Sequence, residues 1–291
     1  MTEKTYPTPC GEIRYWTSAG PEDASHTLVF LPGLTADHRL FEKQLAHFSG
    51  KYPLLVWDAP GHAASRPFRL AFSLMDKAAW LREILAVEQA KPPVLIGQSM
   101  GGYVGQAFLE QFPGQAAGFV SIDSAPLQRR YVTAAEIWLL KRTEPIYRIY
   151  PWQALLKSGS NGCAVSPYGR ALMWEMMSVY EGDQAYYARL SGHGFQMLAE
   201  AMEAGLPYEI DCPALLLCGR QDRAGSTRRY NRAWHKHSGL PLVWLENAGH
   251  NSNTDQPEQV NALLSQFVES LSRKGAEGTT ASCSSPSGQC R

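Results

Sequence analysis

Several things are scarce in this chain of 291 residues. No apolar run approaches the roughly 20 residues that a membrane-spanning helix needs, so no membrane span is expected. Excess charge is missing too. Lys and Arg number 27 and so do Asp and Glu, which leaves no electrostatic footprint for nucleic acid or an anionic membrane surface. Met1 to Cys10 is polar and proline-containing and lacks the positive start and apolar stretch of a secretory signal. Cysteines are few and scattered, at Cys10, Cys163, Cys212, Cys218, Cys283 and Cys290, with no C-x-x-C and no metal-ligand spacing. Cys212 and Cys218 flank an apolar run and read as buried thiols, because strand residues six apart are too distant to bond. This usage fits a reduced, cytoplasmic setting. The pattern calls for neither a metal nor a cofactor. No internal repeat is visible, and no charge cluster points to a phosphorylated substrate.

What is present is apolar material in a regular rhythm. Hydrophobic residues make up 44% of the chain, enough to bury a large core as one domain, or as one domain carrying an insertion. Gly11 to Thr17 alternates like a half-buried edge strand. Thr27 to Leu31 is a continuous apolar run ended by Pro32-Gly33-Leu34, and a helix with Phe41, Leu45 and Phe48 on one face should follow. Tyr52 to Trp57 reads as the next strand, closed by Asp58-Ala59-Pro60-Gly61-His62. Ser73 to Asp76 has the form of a capping box for a helix carrying Trp80, Leu81, Ile84 and Leu85. Gly118 to Ile122 supplies a further strand, ending at Asp123.

Strands alternating with helices in this way predict an α/β fold, a mostly parallel, doubly wound sheet of about eight strands covered on both faces. The rhythm breaks across residues 125–207, an aromatic- and Met-rich stretch that reads as inserted helices. It resumes with Pro213 to Cys218, a helix around Thr227 to His237, the strand Pro241 to Leu245, and a last helix through Val260, Leu264, Val268 and Leu271. The expected organisation is therefore a core at 1–124 and 208–272, a helical insertion at 125–207, and a disordered Gly- and Ser-rich tail at 273–291, which holds Cys283 and Cys290.

The stretch Val94 to Gly102 concentrates the chemistry. Val94-Leu95-Ile96 reads as a buried strand, and Met100, Tyr103, Val104, Ala107 and Phe108 follow helical spacing. Between them, Gly97-Gln98-Ser99-Met100-Gly101 has the G-x-S-x-G form of a tight strand-to-helix turn. Such a turn lifts a serine hydroxyl toward the helix N-terminus, where negative charge is favoured. Strand, elbow and helix in this order resemble the α/β-hydrolase family. The version here, Gly97-Gln98-Ser99-Met100-Gly101-Gly102, is close to that of its cap-bearing esterases. The resemblance covers about residues 11–124 and 208–272, and reaches the insertion only through its position in the chain.

A serine hydroxyl is a weak nucleophile without a base to take its proton and a third group to orient that base. The family resemblance implies the order Ser, acid, His. It assigns Asp222, in Gly219-Arg220-Gln221-Asp222, as the acid and His250, after Ala248-Gly249, as the base. Asp123 is the rival acid, and either aspartate has a plain turn role as its alternative. His62 reads as structural, and His26, His47, His235 and His237 lack both position and partner. The oxyanion donors implied are the backbone N–H groups of Met100 and Leu34. Pro32 stands where many relatives have histidine and has no N–H. Within the insertion, Trp138, Trp174, Met177 and His193 are the expected substrate contacts, with packing of a small helical core as the alternative.

These readings together imply a serine hydrolase of esters or related acyl bonds, acting on a partly apolar small molecule. Lactone, thioester and C–C bond cleavage, or ligand reception with little turnover, are the competing readings. An aspartate nucleophile, as in haloalkane dehalogenases and epoxide hydrolases, is disfavoured by Ser99. Oligomeric state is not encoded in any feature of the chain.

Overall fold

The computed structural model describes residues 1–281. One sheet of eight strands runs in the order β1-β2-β4-β3-β5-β6-β7-β8. The strands are β1 (Thr2–Thr8), β2 (Gly11–Ser18), β3 (Thr27–Leu31), β4 (Leu54–Trp57), β5 (Pro93–Gln98), β6 (Gly118–Ile122), β7 (Ala214–Gly219) and β8 (Leu242–Leu245). Strands β3 to β8 are parallel to one another, while β2 pairs antiparallel with both β1 and β4.

β2 is not the edge strand that its alternation suggested. β1 covers it, in a register running from Thr2 opposite Thr17 to Thr8 opposite Gly11. β1 is largely exposed and carries Lys4 and Pro7, so it lacks the apolar period that marks a half-buried strand. Charge and proline on an outermost strand discourage further pairing.

The parallel strands are buried along their length, as a sheet covered on both faces requires. Alternate residues feed two cores. Val29, Leu55, Trp57 and Leu95 pack with α2 (Leu74–Val87) and α3 (Met100–Gln111). Leu28, Phe30, Val56 and Ile96 pack with the helical residues Phe48, Val260, Leu264 and Val268 on the other face. The helices that supply these residues are α1 (Glu42–Phe48) and the last helix. α2 starts with the expected capping box: Ser73 Oγ accepts from the Asp76 N–H at 3.1 Å, and the Asp76 carboxylate accepts from the Ser73 N–H at 2.7 Å.

Between β6 and β7 the chain forms α4 (Ala134–Leu140), α5 (Glu144–Ile149), α6 (Trp152–Cys163), α7 (Pro167–Ser178) and α8 (Gln184–Glu203). These helices share the sheet's cores. Leu156, Met176, Met177 and Tyr180 join the second core, and Ile137, Met197 and Leu198 the first. Direct hydrogen bonds tie them to the sheet's loops. Tyr186 Oη donates to Gly61 O at 2.9 Å, and Tyr180 Oη accepts from the Ala63 N–H at 3.2 Å. The Asp255 carboxylate accepts from the N–H groups of Val165 and Ser166.

After β7 come α9 (Thr227–Ser238), β8, the short α10 (Ser252–Asp255) and α11 (Pro257–Ala281). α11 continues past Arg273, where disorder was expected to begin. The rest of that expectation, with Cys283 and Cys290, lies outside the described residues. Cys10, Cys163, Cys212 and Cys218 are free thiols; Cys218 is buried within β7 as anticipated, whereas Cys212, just before that strand, is only partly buried.

Strand order reverses beside β3, since β4 lies on one side of it and β5 on the other. Open α/β sheets bind ligands outside the carboxyl ends of their strands at such a reversal. The loops that follow β3, β5, β7 and β8 all emerge at that edge.

Candidate active site

Ser99 sits directly between β5 and α3 with φ 49° and ψ −115°, a conformation sterically costly for any residue with a Cβ. The flanking glycines are needed for close approach, not for their own backbone angles. A Cβ on Gly101 would lie 1.8 Å from the Leu31 carbonyl oxygen of β3, and one on Gly97 would lie 2.4 Å from the Gly101 carbonyl. The turn is held by the Ser99 N–H, which donates to Ile122 O of β6 at 2.9 Å.

The three side chains named from the sequence meet here. Ser99 Oγ is 2.8 Å from His250 Nε2, and His250 Nδ1 is 2.9 Å from Asp222 Oδ2. Asp222 is 2% exposed, and its other oxygen accepts from the Ala224 N–H at 2.7 Å. The buried Asp222 carboxylate, as acceptor, fixes the imidazole tautomer with the proton on Nδ1. Nε2 is then left as an acceptor for the serine hydroxyl. Burial works against charging His250, but the charge and hydrogen bond of Asp222 outweigh it and hold the imidazole above its ordinary value.

Asp123, the rival acid, does not hydrogen-bond to His250. It stands at the end of β6 with φ 48°, and its two oxygens accept from the N–H groups of Gly219 (2.7 Å) and Ser252 (3.0 Å). Burial first, and the charge of Asp222 second, push its carboxyl up to about 8. It ties the loop after β6 to those after β7 and β8.

The candidate oxyanion donors flank Ser99. The Met100 N–H is the first of α3 and has no intrahelical acceptor. Leu34 follows Gly33, where a Cβ would lie 2.3 Å from Gln98 Oε1 and 3.2 Å from Ser99 Cβ. Only glycine lets that loop come so near the serine.

The expected insertion contacts divide. Trp138 is 57% exposed, because α4 turns the neighbouring Ile137 inward and leaves Trp138 beneath the Arg142 guanidinium. Trp174 is also exposed, since α7 buries Leu172, Met173, Met176 and Met177 on its other face. Met177 itself lies inside the second core, against Gly159. Exposure describes the two tryptophans and packing describes the methionine. His193 is half-buried, and its neighbour Gly194 lies so close that a Cβ there would be 2.5 Å from Leu34 Cδ1.

Two groups at the site escaped the sequence reading. Gln98 Nε2 donates to His250 O at 2.7 Å and to Asn251 Oδ1 at 3.2 Å, anchoring the histidine loop to the elbow. Met173 Sδ accepts from Asn251 Nδ2 at 3.5 Å, bringing α7 to the same loop. No helix among the described residues is long and apolar enough to cross a membrane.

Comparison with known proteins agrees with this architecture. An (E)-2-((N-methylformamido)methylene)succinate hydrolase of Acinetobacter baylyi is 23% identical, over 83% of this chain and 90% of that protein. 3-Oxoadipate enol-lactonase 2 of the same organism is 25% identical, over 83% of this chain and 88% of its own length. Among solved structures, a thermophilic esterase from Thermogutta terrifontis superposes with a TM-score of 0.72 at 18% identity, covering 93% of this chain and 99% of its own. The family model described as the alpha/beta hydrolase family matches residues 28–263, and with that match, this chain belongs to the alpha/beta hydrolase family.

Proposed function

We propose that this hydrolase-family member cleaves carboxylic esters or related acyl bonds of a partly apolar small molecule, with Ser99 as nucleophile. The observation that carries the reading is the continuous hydrogen-bonded path from Ser99 Oγ through His250 to Asp222. In the proposed mechanism His250 Nε2 takes the serine proton as Oγ attacks the carbonyl carbon, while Asp222 holds the imidazolium. The Met100 and Leu34 N–H groups receive the negative oxygen, as donors aimed at developing charge do in acyl transfer. His250 then protonates the leaving group. Water, deprotonated by the same nitrogen, releases the acyl group from Ser99.

The test is labelling with a fluorophosphonate probe, alongside turnover of p-nitrophenyl esters of increasing chain length. Ser99 should be labelled, and Ser99→Ala should lower kcat by about 10⁶, the scale seen when a triad nucleophile is removed. A variant that keeps full turnover would rule out the nucleophile assigned here. A lactone is the second reading, because an enol-lactonase is among the relatives that match most of the chain. A lactone is an internal ester, and the same steps open it. Ring opening without turnover of open-chain esters would favour that reading.

A further inference from the structure

Lys77 is 1% exposed, halfway along the first turns of α2 and on the face that carries Leu74, Ala78 and Leu81. Only burial acts on its ammonium, pushing it down to about 7, and no carboxylate offsets that cost. Its Nζ lies 5.6 Å from the centre of the Phe72 ring, and the His193 ring packs edge-on against the same phenyl at 4.7 Å. His62, 1% exposed, is the third member. Its Nδ1 faces Pro60 O at 3.1 Å. The charge of Lys77 holds down both imidazoles, after burial. The Nε2 atoms of His62 and His193 are both buried with no hydrogen-bond partner. Lys77 therefore acts on two imidazoles whose Nε2 atoms have no partner. Glu200, the acid that acts on His193, is exposed and engaged by Gln196.

The cluster is not sealed. His193 also lines a groove of about 390 Å³ with Phe68, Leu70 and Tyr186, and Arg189 stands in the same lining. Glu144, the acid in that lining, is paired with Arg148. On the inner side, Gly194 touches Leu34, and Gly33 touches Ser99. His193 thus joins the cluster to a surface groove, and its neighbour Gly194 joins the same helix to the loop proposed to bind the oxyanion.

We propose that Lys77, with His62 and His193, forms a subsite for a carboxylate carried by the substrate, so that the esters cleaved are half-esters of dicarboxylic acids or their cyclic equivalents. The proposal rests on the hydrolase reading above. A buried charge without a partner is strongly unfavourable, and an anion relieves it where a neutral hydroxyl does not. An incoming carboxylate accepts from Nζ directly, and each orphan imidazole nitrogen donates to it once protonated. The apolar walls that Phe68 and Leu70 give the groove suit the methylene chain between the two ends of such a molecule.

The test uses a series of monomethyl dicarboxylates from succinate to pimelate, with the dimethyl esters as neutral controls. Binding is measured calorimetrically on the full chain carrying Ser99→Ala, so that turnover plays no part. At least one monomethyl ester should bind more tightly than its dimethyl counterpart. Lys77→Met should weaken that binding by about tenfold to a hundredfold, the range for a buried hydrogen bond to a charge. His193→Gln, on the half-exposed side, should weaken it by a smaller factor. In the Ser99 parent, Lys77→Met should lower the kcat/KM ratio of monomethyl to dimethyl ester by the same order. The same variant should also unfold at higher denaturant, since an apolar side chain of similar length replaces an unpaired charge. No preference for the monomethyl esters, or unchanged preference in both variants, overturns the subsite. If fluorophosphonate labels Ser99 in that case, the hydrolase reading survives alone. If labelling fails while carboxylate binding responds to Lys77→Met, the subsite survives and the hydrolase reading falls.

Discussion

The carboxylates of Asp123 and Asp222 approach within 4.8 Å of each other, yet only Asp222 hydrogen-bonds to His250. Two acids so close in a buried space cannot ionise with equal ease. Asp222 accepts a hydrogen bond from the imidazole N–H, and Asp123 is pushed up to about 8 by burial and by its neighbour. Asp222→Asn should lower kcat by about 10⁴, the cost of presenting the wrong imidazole tautomer. Asp123→Asn should cost far less, because its oxygens hold backbone N–H groups and not the base. Steady-state kinetics on both variants checks the order; equal losses would contradict it.

Asp123 also carries a signature in stability. Its folded value lies above the ordinary 3.8 of an unfolded aspartate, so the native state holds its proton more tightly. Stability contributed by that proton is complete below pH 4 and is lost as pH climbs toward 8. Relative to the wild type, Asp123→Asn should therefore gain in thermal midpoint between pH 4 and pH 8. Midpoints measured across that window at constant salt decide the matter, and a flat difference would refute it.

His250 titrates above the ordinary 6.5, since the charge and hydrogen bond of Asp222 overcome its burial. The acid limb of kcat/KM should accordingly fall above pH 6.5, with activity rising as the imidazole loses its proton. For folding the sign is opposite. The raised value stabilises the native state at low pH, and that contribution disappears as pH rises through the folded value. A pH–rate profile with its acid limb below 6.5 would contradict this account.

Gly101→Ala should destabilise the fold by about 3 kcal/mol or more, above the usual cost of an overpacked core. The added methyl would meet the Leu31 carbonyl at 1.8 Å, and backbone cannot turn aside as a side chain does. Urea denaturation gives the value. A loss under about 1 kcal/mol would show the turn is looser than this contact implies.

Gln98→Leu keeps the volume but removes the two hydrogen bonds to the histidine loop. It should cost about 1–3 kcal/mol of stability, because His250 O and Asn251 Oδ1 lose a buried partner. A base held less firmly should also lower kcat more than it changes KM. Denaturation and kinetics on the same preparation separate the two effects.

Much of this was readable in advance because the same physics writes it into composition. Ser99, Asp222 and His250 each follow a short apolar run and a glycine, so each could be placed at one edge of a parallel sheet before any coordinates. The insertion showed itself only as a break in rhythm. The direction of a side chain on a short helix is set by its partners, so Trp138 and Trp174 could not be told from lining residues by spacing. β1 was invisible because an exposed strand has no apolar alternation to read. Gln98 carried no signal, since one polar residue inside a motif looks like any other. Lys77 did carry one: it interrupts the apolar stripe of α2 between Leu74 and Leu81, and a charge in that place was available to notice.

The contact between Gly194 and Leu34 leaves no room for even a methyl group. The longest inserted helix therefore rests its weight, at one point, on the loop proposed to face the reacting oxygen. A bulkier residue at 194 would therefore press on Leu34, the residue proposed to supply one of the two oxyanion donors.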